Sequence, residues 1–285
     1  MKIIHKIEEL KNILKDKRTL EIGLVPTMGA LHEGHASLIK KSVEQNDFTV
    51  VSVFVNPVQF GINEDFDKYP RTLEKDAKLC ENLGAAIVFA PAVDEMYQDT
   101  KELTLVCPPY SAINKLCGKS RPGHFDGVAT VVSKLFNITG CTKAYFGQKD
   151  AQQLFIIKKM VKDLNFNVEI VPCPIVREND GLALSSRNSY LKEESREDAL
   201  KLYKALKYAK ELRQKGINDR QILCDSALKI LEGTLVDYIE IVNPETFEDW
   251  QDEKEPALML IAAKIAPTDT RPVSYTHLRA HETAA

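Results

Sequence analysis

The chain has 285 residues, of which 44% are hydrophobic and 28% are charged, and its formal net charge is −3. The composition excludes a disordered chain, the length predicts about two domains, and the charge argues against a nucleic-acid binder, which needs excess cations to neutralise phosphates. The longest apolar run, 257–263, is far shorter than the ~20 residues that span a bilayer, and residues 1–6 do not form a signal-peptide core. We therefore expect a cytoplasmic protein that binds no membrane and, from its charge, no nucleic acid.

The first two thirds of the chain alternate between short β-rich runs and amphipathic stretches. The predicted strands are 22–25, 49–55, 86–89, 144–146 and 168–171. The predicted helices between them are 31–45, 72–83, 127–136 and 151–164. This alternation indicates an α/β fold with a Rossmann-like parallel sheet and helices on both faces. Ligands of such sheets bind beyond the carboxyl ends of the strands.

The pattern changes toward the end of the chain. Helices are predicted at 192–214 and 219–231, followed by strands at 237–242 and 258–265. We therefore expect a first domain over 1–183 and a smaller α+β domain over 184–265. The charges of 192–214 are expected to form a solvated helix face. Residues 266–285 lack periodicity, which predicts a disordered tail or an artificial extension.

The six cysteines show no metal-binding spacing. None of them forms a Cys-x-x-Cys pair, and their intervals are irregular. Zinc sites need closely spaced pairs, so we expect reduced thiols that behave as small buried side chains. Asp76 could hold magnesium, but a solvated carboxylate on a helix is the simpler interpretation. Metal ligands stay unassigned.

The sharpest chemical signal follows the first predicted strand. Residues 26–35 read Pro-Thr-Met-Gly-Ala-Leu-His-Glu-Gly-His and lead into a helix. Gly29 permits a tight turn, and Gly34 leaves room for a nucleotide to approach the backbone. A helix start aims free backbone N–H groups at an anion, and the adjacent imidazoles of His32 and His35 could bind a phosphate or protonate a leaving oxygen. The alternative is a pair of surface histidines beside a turn.

Two carboxamides follow the second predicted strand. Asn56 and Gln59 can donate and accept hydrogen bonds, which suits a substrate that carries hydroxyl groups and a carboxylate. Turn chemistry before a proline is an adequate alternative for Asn56, but it does not explain Gln59.

Three later segments carry cations. Gly-Gln-Lys-Asp at 147–150 offers a helix N-terminus and the charge of Lys149 to phosphates. Leu-Ser-Ser-Arg at 184–187 has the hydroxyls and guanidinium of a phosphate clamp. An ordinary capped helix and a polar linker are the alternatives. Arg121 and His124 could serve an acidic substrate, but a capped helix start explains them equally.

The His-x-Gly-His motif resembles that of the nucleotidyltransferase superfamily, whose reactions take place at the α-phosphate of ATP. The longer string at 26–35 is similar to that of the pantothenate synthetase (pantoate–β-alanine ligase) family. Other family-like segments are 56–61, 69–71, 121–128, 146–150 and 184–188. The resemblance extends over about residues 3–265.

This resemblance implies a ligase that condenses (R)-pantoate with β-alanine to give pantothenate, AMP and pyrophosphate through a pantoyl adenylate. It implies ATP as a substrate, Mg²⁺ as a cofactor, a cytoplasmic homodimer and a second domain that acts as a lid. Three alternatives stay open: a nucleotidyltransferase whose product keeps the AMP, an aminoacyl-tRNA synthetase, and a nucleotide-binding regulator without catalysis.

The resemblance also implies roles for individual residues. The implied catalytic residues are His35, as the proton donor, His32 and Lys149. The implied ATP-binding residues are Met28, Gly29, Ala30, Leu31, His32, Glu33, Gly34, His35, Gly147, Gln148, Lys149, Asp150, Val176, Leu184, Ser185, Ser186 and Arg187. The residues implied to bind pantoate or β-alanine are Gln59, Gln153 and Asn56.

Overall fold

The computed structural model describes residues 1–17, 19–62, 64–265 and 273–278. It divides into two compact units. The first comprises Met1–Gln148 and Gln152–Pro174, and the second comprises Lys149–Ala151 and the described residues from Ile175 onward. The boundary therefore lies before residue 175 and not between 183 and 184 as expected, because the segment 176–184 folds back on itself through an Arg177–Ala183 bridge. None of the described helices is both long and apolar enough to cross a bilayer.

The first unit is an α/β fold built on a six-stranded parallel sheet. Its strands are β1 (Lys2–Ile4), β2 (Ile22–Thr27), β3 (Phe48–Val53), β4 (Ile87–Phe89), β5 (Lys143–Gly147) and β6 (Glu169–Cys173). They lie in the order β1-β4-β3-β2-β5-β6, and every pair is parallel. The helices are α1 (Ile7–Lys15), α2 (Glu33–Gln45), α3 (Leu73–Asn82), α4 (Val93–Met96), α5 (Tyr110–Ile113), α6 (Leu116–Ser120), α7 (His124–Thr139) and α8 (Ala151–Asp163).

Both faces of this sheet are buried. Successive strand residues point to opposite faces, so Leu24 belongs to the core that α1, α7 and α8 cover, and Val25 belongs to the core that α2 and α3 cover. Strands buried on both faces read as continuous apolar runs, which is why five of the six strands could be predicted. The predicted fold class is confirmed. β1 and α1 were missed: only Ile4 of the three β1 residues is buried, so β1 carries no apolar run, whereas α1 does have helical apolar spacing, with Leu10 and Leu14 buried.

The second unit contains a second sheet and two long helices. These elements are α9 (Glu193–Gln214), α10 (Arg220–Ile230), β7 (Leu235–Val242), β8 (Ala257–Lys264) and β9 (Val273–Leu278). The strands are antiparallel, in the order β7-β8-β9. On α9, Ala199, Leu202, Leu206 and Ala209 recur every three or four residues and are buried, as expected for the apolar stripe of an amphipathic helix.

Two expectations for the second unit need correction. Residues 273–278 were expected to be irregular, but they pair with β8 as β9, because β-branched and aromatic residues such as Val273 and Tyr275 favour strands and β8 offers an open edge. The other residues of the predicted tail, 266–272 and 279–285, lie outside the described residues. The charges of α9 are not all solvated either: Arg213 is 2% exposed, and its guanidinium lies 4.9 Å from the centre of the Trp250 ring.

The cysteines are all free thiols. Cys80, Cys141 and Cys173 are buried, whereas Cys107 is exposed. The prediction of burial is wrong for Cys107.

Candidate functional site

The fold brings three of the predicted segments to one edge of the parallel sheet. Met28 and the histidine motif follow β2, Asn56 and Gln59 follow β3, and Gly147 ends β5. β2 lies between β3 and β5, and the order in which the strands are added reverses at the β2–β5 pair. Such a switch point leaves a crevice beyond the carboxyl ends of the strands, where α/β sheets bind ligands.

The turn after β2 is held by a buried carboxylate. Asp76 on α3 is 2% exposed, and its two oxygens accept the N–H groups of Ala30 at 2.9 Å and Leu31 at 2.8 Å. The Thr72 hydroxyl donates to the same carboxylate at 3.2 Å. The turn needs this support because Gly29 and Ala30 have φ values of 85° and 50°, and Ala30 incurs a steric penalty there that glycine would not.

Asp76 was expected to be solvated, and that expectation is wrong. The sequence carried a signal, since Asp76 lies on the same helix face as the buried Ala77 and Cys80. A carboxylate on an apolar stripe is stable only when hydrogen-bond donors meet it.

His32 and His35 form a reciprocal cap at the start of α2. Nδ1 of His32 accepts the N–H of Gly34 at 3.1 Å, and Nδ1 of His35 accepts the N–H of His32 at 3.3 Å. The ring centres are 4.1 Å apart. A backbone N–H only donates, so both Nδ1 atoms carry a lone pair and each neutral ring carries its proton on Nε2. This arrangement defines two N–H donors.

The turn does not present free backbone donors as the sequence predicted. The N–H groups of Gly29, Ala30, Leu31, His32 and Gly34 all donate to side chains of the protein. The expectation is therefore wrong for these five positions. The side-chain N–H donors of this motif are the Nε2–H groups of the two imidazoles.

The carboxamide of Gln59 is buried and oriented by Asn56. Nδ2 of Asn56 donates to Oε1 of Gln59 at 3.1 Å and to the Gly127 carbonyl at 3.1 Å. Oδ1 of Asn56 accepts the Tyr97 hydroxyl at 2.9 Å and the Val58 N–H at 3.3 Å. All the polar side-chain atoms of Asn56 are therefore engaged within the protein. Nε2 of Gln59 is left to donate to Sδ of Met28 at 3.2 Å, and a thioether is a weak acceptor.

A charged network supports the backbone of Gln59. Glu64 accepts from Nε and a terminal nitrogen of Arg121, at 2.6 and 2.5 Å. Arg121 also donates to Nε2 of His124 at 2.8 Å, so Nδ1–H of His124 donates to the Gln59 carbonyl at 2.8 Å. Burial alone would raise the pKa of Glu64, but the hydrogen bonds and charge of Arg121 lower it below its ordinary value.

The start of α7, for which the sequence left two interpretations, has Gly123 as its N-cap and no side-chain cap. Arg121 and His124 form hydrogen bonds with neighbouring protein groups. Helix α7 also packs closely against the 3₁₀ turn at Pro57–Gln59. A Cβ at Gly127 would lie 2.6 Å from the Gln59 backbone, so only glycine fits there.

The start of α8 carries two glutamines with different environments. Gln153, predicted to bind pantoate, is half-buried. Its neighbour Gln152 is buried and donates to the carbonyls of Ala112 and Lys115 at 2.9 Å each. At the end of β5, the N–H of Gln148 donates to the Cys173 carbonyl at 2.8 Å, while a Cβ at Gly147 would meet open space.

The remaining predicted residues belong to the second unit. Nζ of Lys149 lies 3.9 Å from the Asp150 carboxylate. Val176 and Leu184 face each other across a hairpin, because the Leu184 N–H donates to the Val176 carbonyl at 3.0 Å. Ser185 caps the 3₁₀ helix Ser186–Tyr190 by accepting the Arg187 N–H at 3.2 Å. The hairpin and the Ser-Ser-Arg segment are thus one continuous structure.

Comparison with known proteins identifies the family. The model of the Pantoate-beta-alanine ligase family matches residues 2–273. The chain belongs to this family. It is 52% identical over 274 residues to the pantothenate synthetase of Acetivibrio thermocellus (94% of this chain, 96% of the relative) and 56% identical over 254 residues to that of Caldicellulosiruptor bescii (87% and 89%).

Solved structures of the pantoate–β-alanine ligase family have the same fold. The pantothenate synthetase of Thermus thermophilus is 40% identical, with a TM-score of 0.89 and coverage of 97% of this chain and 99% of that chain. The ligase of Francisella tularensis, solved in complex with β-γ ATP and β-alanine, is 36% identical, with a TM-score of 0.80 and 97% coverage of both chains. The predicted family, its ATP-dependent amide-forming ligase activity and its place in pantothenate biosynthesis are confirmed.

Proposed function

We propose that this protein joins (R)-pantoate to β-alanine in two steps. Pantoate first attacks the α-phosphorus of ATP and releases pyrophosphate, and the amine of β-alanine then attacks the acyl carbon of the pantoyl adenylate and releases AMP. The single observation that carries the proposal is the reciprocal His32–His35 cap, which orients two Nε2–H donors at the switch point of the sheet. The family match and the Francisella complex support the choice of substrates.

The two histidines would act on the α-phosphate without forming a covalent bond. Negative charge builds up on the α-phosphate oxygens as the carboxylate attacks, and donors that are already oriented stabilise it without reorganisation. We assign His35 as the proton donor to the departing pyrophosphate oxygen and His32 as its partner. The same cap that stabilises α2 therefore sets the tautomer that the chemistry needs.

Gln59 would bind the pantoate carboxylate or a hydroxyl. Its Nε2–H donates to the Met28 thioether, and a substrate oxygen is a stronger acceptor than this partner. Asn56, whose polar atoms are all engaged, is assigned to the orientation of Gln59 and not to direct contact with substrate. Gln153 is kept as a pantoate contact on the family resemblance.

The other nucleotide contacts are proposed on the resemblance alone. The triphosphate residues are Lys149, Ser185, Ser186 and Arg187. The other ATP contacts are Met28, Gly29, Ala30, Leu31, Glu33, Gly34, Gly147, Gln148, Asp150, Val176 and Leu184. A cytoplasmic location and a homodimer are proposed on the same ground.

Mg²⁺ is proposed as the partner of ATP. The described residues contain no group of three His, Cys, Asp or Glu side chains that could hold a metal ion, and both oxygens of Asp76 already accept backbone N–H groups. Mg²⁺ is commonly held by substrate phosphates and water with one or two carboxylates, and its proposal here rests on the family resemblance. When bound, the ion would neutralise charge on the phosphates.

One assay tests the proposed reaction. AMP release from ATP is measured with pantoate and β-alanine present and with each omitted, and exchange of labelled pyrophosphate into ATP is measured with pantoate alone. We expect AMP release only with both substrates, and exchange without the amine. An exchange that requires β-alanine would exclude the stepwise order, and a stable adenylylated product would indicate the ordinary nucleotidyltransferase.

A further inference from the structure

One arginine of α9 holds the hairpin that carries several of the proposed ATP contacts. The hairpin runs from Val176 to Leu184, with Gly181 near its tip at a φ of 99°. Nε and a terminal nitrogen of Arg196 donate to Oδ2 of Asp180 at 2.9 and 2.6 Å, and the same terminal nitrogen donates to Glu178 at 2.5 Å. One guanidinium thus binds two carboxylates of the hairpin.

The Glu178 carboxylate extends this contact to the Ser-Ser-Arg segment. Its other oxygen accepts Nδ2 of Asn188 at 3.0 Å, and that nitrogen also donates to the Ala183 carbonyl at 3.1 Å. Asn188 lies in the 3₁₀ helix Ser186–Tyr190. A continuous set of hydrogen bonds therefore runs from Arg196 through Glu178 to the short helix that contains Ser186 and Arg187.

A second contact on the same face of α9 completes the support. Tyr203 lies two helical turns beyond Arg196, and the guanidinium of Arg177 is 4.5 Å from the centre of its ring. A Cβ at Gly181 would lie 2.2 Å from this ring, so the tip of the hairpin rests directly on it. Arg196 therefore pairs with the carboxylates of the hairpin, and Tyr203 packs against its tip.

We propose that Arg196 is a positioning residue for ATP binding, which fixes the hairpin and through it Ser185, Ser186 and Arg187 without contacting the nucleotide. This inference rests on the proposed function. Arg196 also offsets part of the negative charge of Glu178 and Asp180, which lie beside a segment that is proposed to bind an anion. The pKa of Asp180 is accordingly held below its ordinary value: the hydrogen bonds from Leu182 and Arg196, with the charge of Arg196, outweigh the effect of burial.

The chain offers a matched control for this test. Arg220 also pairs with two carboxylates of the second unit, Glu240 at 2.5 Å and Asp249 at 3.6 Å. Its side chain is 35% exposed, compared with 34% for Arg196. Replacing either arginine with methionine removes an equivalent ion-pair cluster, but only Arg196 contacts the hairpin that carries the proposed ATP contacts.

The experiment compares R196M, R196K and R220M in the full-length chain. KM values for ATP, pantoate and β-alanine are measured by AMP release, ATP affinity by titration calorimetry, and stability by thermal melting. For R196M we expect the ATP KM and dissociation constant to rise about tenfold (~1.4 kcal/mol), with kcat at saturating ATP and the other two KM values within twofold of wild type. R196K keeps the charge but not the two-pronged geometry, so its ATP defect should be smaller. R220M should melt earlier but bind ATP normally.

Several outcomes would overturn the inference. Wild-type ATP affinity in R196M, or equal loss of ATP affinity in R196M and R220M, would show that Arg196 has no specific effect on the nucleotide. If R196M does not fold, unchanged ATP affinity in R196K overturns the inference in the same way. If the wild type releases no AMP, the proposed function fails, and the calorimetric comparison still decides the role of Arg196.

Discussion

The histidine turn of the first unit and the hairpin of the second are both short polar segments, but different forces hold them. The turn is fixed by Asp76, which is 2% exposed and accepts two backbone N–H groups. The hairpin is fixed by Arg196 and Asp180, whose side chains are 34% and 33% exposed.

This difference has energetic consequences. Leaving a buried donor without its acceptor costs about 1–3 kcal/mol, whereas ion pairs of solvent-exposed side chains contribute ~0.2–1 kcal/mol and are screened by salt. We therefore expect the turn to be rigid and insensitive to salt and the hairpin to be adjustable. Donors to the reacting α-phosphate must be held in a fixed geometry. The proposed contacts of the hairpin bind phosphates that do not react with pantoate, so they can tolerate more movement.

The largest expected effect concerns the cap itself. Replacing His35 with Ala should lower adenylate formation about 10²–10⁴-fold, as expected for the loss of one positioned acid. His35→Asn keeps an acceptor for the His32 N–H but has no donor at the Nε2 position, whereas His35→Gln keeps a donor near that position. Pyrophosphate exchange should be low in the Ala and Asn variants and partly restored in Gln. Full exchange in His35→Asn would mean that His35 acts only as a cap.

A smaller effect is expected from the carboxylate beneath the turn. Asp76→Ala leaves the N–H groups of Ala30 and Leu31 without their acceptor, so the free energy of unfolding should fall by about 2–4 kcal/mol. Pyrophosphate exchange should fall at least about tenfold, because the two imidazoles follow this turn in the chain. Urea denaturation and exchange rates measure the two effects.

Glu95 provides the control for Asp76. It also accepts a backbone N–H, that of Ile7 at 2.8 Å, together with Nζ of Lys6 at 2.8 Å. Glu95→Ala should lower stability without changing exchange. Equal activity in the two variants would show that Asp76 does not position the turn.

Gln59→Glu should weaken pantoate binding by at least about tenfold and leave ATP binding nearly unchanged. The substitution keeps the size of the side chain but replaces its donor with a negative charge that faces an anionic substrate, at a cost on the order of 1–3 kcal/mol. Titration calorimetry near pH 8 keeps the new carboxylate ionised. Gln45→Glu makes the same charge change at the end of α2 and should bind pantoate normally. Normal pantoate binding by the Gln59→Glu variant would show that Gln59 does not contact pantoate.

The smallest expected effect tests whether the ion pairs of the hairpin are weak and screened by salt. The pKa of Asp180 is lowered in the folded state from 3.8, so its ion pair stabilises the fold above that pH and is lost as the pH falls through the lower folded value. The melting temperature of Asp180→Asn should lie slightly below that of wild type at pH 7, by the equivalent of ~0.2–1 kcal/mol. This difference should shrink below about pH 4 and in 1 M NaCl. A difference in melting temperature that does not change with salt would show that the hairpin is held as rigidly as the turn.

The sequence predicted the central elements because each carries a local signal. The strands of the parallel sheet are apolar runs, and α2, α3, α8, α9 and α10 show helical periodicity. The short β1 and the edge strand β9 have too little apolar pattern to be recognised alone. Their pairing partners, β4 and β8, lie far away in the chain or become available only when the sheet forms.

The sequence alone determined the fold class, the family resemblance and the position of His32 and His35 after a strand, because residue spacing encodes local structure directly. Only the tertiary structure decided that Asp76 closes the turn, that Asn56 orients Gln59 and that Arg196 holds the hairpin. These hydrogen bonds join residues that are 3 to 46 positions apart in the chain. They form only when the intervening backbone brings the two side chains or groups together. A side chain's partner is therefore set by the packed fold, whereas its chemistry is set by its residue type.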